Sequence, residues 1–118
     1  MAQNQNQSPS RDQSLSPRQP RLELDALLRT VLGSSNVYYD PPEGFKLKYP
    51  CIVYNLSGNT DTHAENEYYR RMKRYTLRYI TRNADDPMID TIEDIRYCSL
   101  IQPYTADGLF HYAYQLYF

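Results

Sequence analysis

Residues 109–118, LFHYAYQLYF, constrain the fold more than any other stretch. Phe110, Tyr112, Tyr114, Leu116 and Phe118 fall at every second position, so an extended strand carries all five on one face. His111 lies mid-strand opposite that aromatic face, where a plain surface or interface histidine is the default reading. The same period of two governs YTLRY, with Tyr75, Leu77 and Tyr79 toward the core and Thr76 and Arg78 facing out. CIVY, residues 51–54, is instead a nearly continuous apolar run, which predicts a strand buried on both faces. Pro50 is allowed at its start, because a first strand residue need not donate to the ladder. YCSLIQPY predicts one more strand, and TADG the turn that follows it.

Two helices have a different period. In LELDALLRTVLG, Leu24, Leu27, Leu28, Val31 and Leu32 are spaced by three and four, and Gly33 is the stop. That stripe needs a sheet to cover. In DDPMIDTIEDI, Asp86 can cap a helix, Pro87 suits its first position, and early acids complement its dipole. Met88, Ile89, Ile92 and Ile95 make its apolar face. NVYY reads as a short extended piece and PPEG as a turn. The expected fold is α+β, a mainly antiparallel sheet with two helices packed on one face, in the order α-β-β-β-α-β-β.

At 118 residues there is room for one domain. Residues 1–20, MAQNQNQSPSRDQSLSPRQP, hold one large aliphatic side chain, Leu15, beyond Met1. Such a segment cannot bury enough to offset its ordering entropy and is predicted to be a disordered polar arm, leaving residues 21–118 as the α+β domain. The arm lacks the apolar core of a signal peptide, and no run of about 18 apolar residues is present, so the expectation is a soluble product made in the cytosol.

The net charge of −1 argues against a general nucleic-acid binder. Charge is local instead. Arg70, Arg71, Lys73, Arg74, Arg78 and Arg82 precede Asp85, Asp86, Asp90, Glu93 and Asp94. A basic strand beside an acidic helix fits two surfaces of opposite sign, suited to meeting on neighbouring subunits. In YYRRMKRYTLRY, residues 68–79, both faces are charged before Tyr75, so the strand is expected to project beyond the core as a ribbon with its neighbour. The bland alternative is a solvated strand whose charges discourage edge aggregation. No RNA-recognition strand, helix-turn-helix or finger spacing is visible, although non-specific contact with DNA needs only Lys and Arg in the right place.

Chemistry is sparse. There is no nucleophile elbow, phosphate loop or paired-His metal site, so no enzyme and no cofactor are expected. SGNTDTHAENE is polar and reads as a long loop; its Asp61, His63, Glu65 and Glu67 alternate, but a solvated loop explains them better than a divalent ion does. Cys51 and Cys98 sit in apolar runs without a CxxC pair and read as buried small hydrophobes. The thirteen tyrosines suit half-buried sheets and subunit interfaces.

NVYYDPPEGFKLKYPCIVYNL, KRYTLRYITRNADDP and YCSLIQPYTADGLFHYAYQLYF together resemble the tail terminator, or tail-completion (tail-to-head joining), proteins of long-tailed bacteriophages and prophages. The resemblance covers about residues 22–118, and its most specific pieces are Pro41 to Tyr54, Lys73 to Thr76 and Tyr104 to Leu109. It implies a hexameric ring of this chain that docks on the last ring of tail-tube protein, ends polymerisation and meets the head connector or stopper. In that picture Arg70, Arg71, Lys73, Arg74, Asp85, Asp86, Asp90, Glu93 and Asp94 would form the subunit or tail-tube interface. Arg78 and Arg82 would face the lumen, where DNA passes with at most non-specific contact. The site would be the virion's tail–head junction, reached from the host cytoplasm. Three alternatives stay open: another neck component, such as an adaptor or stopper; a small DNA-binding protein; and an enzyme, whose turnover would have to depend on His63 or His111. The polar arm departs from a minimal terminator.

Overall fold

The computed structural model describes residues 20–59 and 72–118. Pro20, whose fixed φ suits a first helical turn, opens α1 (Pro20–Leu32), so the helix takes in the residue at which the polar arm was expected to end. Gly33 closes it with φ +75° and donates its N–H to the Arg29 carbonyl. Strands β1 (Val37–Tyr39), β2 (Cys51–Asn59) and β3 (Lys73–Thr81) follow, then α2 (Met88–Glu93), β4 (Cys98–Ala106) and β5 (Leu109–Tyr117). The fold is mixed α+β, with two helices and one five-stranded sheet in the order β1-β2-β3-β5-β4. Among the described residues β1 with β2 is a parallel pair and the other three pairs are antiparallel.

Period-two patterning sorts the sheet into two faces. On one, Ile52, Tyr54, Tyr75, Leu77, Tyr79, Tyr114 and Leu116 join Leu24 and Leu28 of α1 and Ile92 of α2 in the main core. Both helices therefore cover the same side. On the opposite face, Cys51, Val53 and Ile80 form a smaller cluster, roofed by Tyr38, Leu47, Tyr49 and Leu109. CIVY is buried on both faces as its composition requires, one half in each cluster.

The connections follow their turn chemistry. Phe45 donates to the Pro42 carbonyl, and Gly44, with φ +83°, occupies the third position, where a type II turn demands a positive φ. Asp107 and Gly108, with φ of 54° and 73°, make the two-residue β4–β5 hairpin in the type I′ pattern.

Three expectations are corrected. Ser57, Gly58 and Asn59, read as the start of a loop, belong to β2 and pair with the beginning of β3. The segment was read as a loop because it is polar, yet a strand end exposed on one side tolerates polar residues. Arg78 does stand on the face away from Tyr75, Leu77 and Tyr79, but that face is not fully solvated there: the residue is half buried and its Nε fully buried. Asp86, assigned to an interface, is instead a structural acceptor. Its carboxylate takes hydrogen bonds from Tyr79 (2.5 Å), Thr81 (2.9 Å) and the Met88 N–H (2.9 Å), tying β3 to the start of α2. Burial alone would raise its pKa, but the Tyr79, Met88 and Thr81 donors outweigh it and hold the carboxyl below the ordinary range.

Candidate functional site: the uncovered face of the sheet

The face turned away from the helices is built from the alternate residues of four strands. Paired residues in adjacent strands point to the same side, so the register gives its rows directly. At one end Cys51, Ile80, His111 and Tyr104 lie abreast. The next row is Val53, Arg78, Ala113 and Gln102, and the one after it Asn55, Thr76, Gln115 and Ser99. Gly58, Arg74 and Tyr117 close the far end. Among the described residues, no strand position on this face is acidic.

A bulge makes the second row polar. Leu100 opposes Tyr114 and Gln102 opposes Ala113, which leaves Ile101 unpaired between them. Without that extra residue Ile101 would stand beside Ala113. With it, Ile101 swings to the sheet margin, 59% exposed, and an amide takes its place. Tyr104 then stacks flat on His111, with ring centroids 4.8 Å apart and planes at 15°. The His111 Nε2–H donates to the Ala106 carbonyl at 3.3 Å, while its Nδ1 is buried without a partner.

Arg74 and Arg78 of β3, and Arg82 just after it, occupy three different environments. Arg74 folds across Gly58: Nη2 donates to the Ser57 carbonyl at 3.1 Å and Nε to the Ser57 hydroxyl at 3.3 Å. A Cβ on Gly58 would stand 2.8 Å from that Nη2, so the missing side chain is what admits the guanidinium. Arg82 lies over the Tyr49 ring, 5.3 Å from its centroid. Arg78, between them, has neither an ion pair nor a hydrogen bond to its Nε among the described residues. Its charge is felt by Cys51, whose thiol burial pushes up to about 11 despite the nearby cation.

Carboxylates gather on the other side. Asp25 of α1 accepts from Arg29 (2.5 Å) and from the Tyr54 hydroxyl (2.6 Å) of β2. Burial opposes its ionisation, but these two donors prevail and its pKa falls. Asp85 in the β3–α2 connection, and Asp90, Glu93 and Asp94 in and just after α2, are exposed. Of the residues assigned to an interface from sequence, Lys73 and Arg74 therefore point to opposite faces, Asp86 is engaged internally, and Arg70 and Arg71 lie outside the described residues. So does the Asp61, His63, Glu65 and Glu67 set. Gln102 and Tyr104 were missed because a bulge reverses alternation; Pro103, which marks an edge strand, was the available signal.

Among the described residues no group of three or more His, Cys, Asp or Glu could hold a metal, and no helix is long and apolar enough to cross a membrane. No protein-family description, curated protein or solved structure matches the chain. Among the described residues the layout brings no nucleophile, base and oxyanion donors into one array. It offers two unlike surfaces, one cationic and neutral, the other carrying free carboxylates.

Proposed function

We propose that this chain is a non-enzymatic structural subunit that forms a ring on the end of a phage tail tube, stops its growth and joins it to the head connector. The observation that carries the reading is that the described strand positions on the face away from the helices hold Arg74 and Arg78 and no acid, while Asp90, Glu93 and Asp94 stand exposed at α2. A ring needs a heterologous contact, in which one surface of each subunit meets a different surface of the next. Arg78 on the uncovered face and Asp90, Glu93 and Asp94 on the helical side supply such a pair. The resemblance of Pro41–Tyr54, Lys73–Thr76 and Tyr104–Leu109 to tail terminators gives that ring its place, at the tail–head junction of the virion. Six copies is the stoichiometry the resemblance implies, with tail-tube protein and connector as partners and DNA passing through the lumen.

The test is removal of the gene from a phage or prophage that carries it. Electron microscopy should show tails of abnormal length that fail to join filled heads, rescued by the chain in trans. Tails of normal length joined to heads without the protein would refute the proposal.

A further inference from the structure

We infer that the sheet surface around Ala113, between Arg78 and Gln102 and beside His111, receives a carboxylate from the Asp90–Glu93–Asp94 ridge of a second copy of this chain. The centre of that surface is a methyl group flanked directly by Arg78 on β3 and Gln102 on β4, with His111 two residues along β5 on the same face. Two polar atoms at this place, Arg78 Nε and His111 Nδ1, are buried and unpartnered. Leaving such atoms unsatisfied is costly; Arg78 as a whole is only half buried, and a turn of its side chain toward a carboxylate arriving at this face would bring the Nε out into the bidentate geometry that arginine favours.

The donor of that carboxylate is on the same molecule but out of its own reach. Asp90 stands three and four residues before Glu93 and Asp94, the spacing that puts side chains on one helical face. All three are exposed, and α2 lies across the sheet from Arg78. The pair can therefore close only between molecules, head to tail. Duplex DNA is the poorer occupant. It demands several phosphate contacts, whereas Arg74 is bound to Ser57, Arg82 rests on Tyr49, and the positions around Arg78 (Val53, Thr76, Ile80, Ala113 and Gln102) are uncharged. The inference rests on the ring reading for its head-to-tail geometry, and it names the contact.

Complementation between two variants of the full chain tests it. Arg78→Glu spoils the sheet surface and leaves the ridge intact; Asp90→Asn/Glu93→Gln/Asp94→Asn does the reverse without offering the introduced glutamate a cation. By sedimentation equilibrium each variant alone should self-associate about thirty-fold or more weakly than the parent, the loss expected on breaking a buried interfacial charge pair. Mixed, they should form a one-to-one heterodimer that grows no further, because one intact surface of each kind remains. Arg78→Ala serves in place of Arg78→Glu should circular dichroism show the latter unfolded. A parent chain that stays monomeric at about 1 mM, undiminished association of the Arg78 variant, or a mixture without heterodimer would overturn the inference. Duplex-DNA binding that Arg78→Glu abolishes while association is unchanged would overturn it too, assigning the face to nucleic acid. Heterodimer formation alongside normal tails in the gene deletion would sink the tail reading alone. Defective tails with no heterodimer would sink this contact alone.

Discussion

Replacing Asp86 by alanine should destabilise the domain far more than replacing its neighbour Asp85, although the two share a charge and are adjacent. The substitution strands three donors at once: the Tyr79 hydroxyl, the Thr81 hydroxyl and the Met88 N–H. Tyr79 is 1% exposed and Thr81 3%, so water has poor access to replace the lost acceptor. A hydrogen bond to a charged acceptor contributes about 1.5–3 kcal/mol, and loss of a helix-start acceptor about 1 kcal/mol. The three share one carboxylate and cannot be summed, which gives an expected loss of about 3–4 kcal/mol. For a domain of this size that is a fall in Tm of about 12–25 °C. Asp86→Asn keeps an acceptor but aims an amide N–H₂ at hydroxyl donors, so it should fall between alanine and the parent. Asp85→Ala removes an exposed side chain and should stay within about 0.5 kcal/mol. Urea unfolding followed by circular dichroism measures all three. A loss below about 1 kcal/mol for Asp86→Ala, or one equal to that of Asp85→Ala, would refute the view that Asp86 is the bolt between β3 and α2.

Acid should weaken the fold in a defined window. Asp25 and Asp86 both have pKa values lowered on folding, so their contribution is complete above the unfolded carboxyl value of about 4 and is lost as pH falls through the folded values below it. Thermal melts should accordingly show Tm level near neutrality and dropping below about pH 4, less steeply in Asp86→Ala; a Tm unchanged in strong acid would contradict this. Gly108→Ala forces an L side chain to φ +73° in the hairpin turn and should cost about 1 kcal/mol in the same urea assay. Burial raises the Cys51 thiol to about 11 and the Cys98 thiol to about 12, the latter helped by Glu93. Neither should react with a thiol reagent near neutral pH until denaturant is added, when two equivalents should appear; prompt modification of one would overturn that.

Much of this architecture is legible in the chain because burial imposes its period on the residues. Tyr75, Leu77 and Tyr79, and Tyr114 with Leu116, announce their inward face by simple alternation, and Leu24 with Leu28 announces the helix that covers them. What escapes such reading is whatever depends on a partner distant in sequence or on one inserted residue. Asp86 looks like one more surface acid in DDP, and only the return of β3 brings the Tyr79 and Thr81 hydroxyls to it. Ser57 and Ile101 each shift the register by one at a bulge, so the residues beyond them change sides without any change in composition. The uncovered face was thus readable on β3 and β5, where alternation is unbroken, and unreadable on β4, where Gln102 and Tyr104 complete it.

Both margins of the sheet are poor templates for another strand. On one side stands the three-residue β1; on the other, β4 carries Pro103, which has no N–H to offer, beside the dislocation at Ile101. Lateral zippering of chains, a mode of growth with no built-in end, is therefore discouraged at either margin. Any contact between copies would then fall to the faces of the sheet and its helices rather than to its margins. The short strand and the bulge thus leave the chain without a margin along which one sheet could be continued from molecule to molecule.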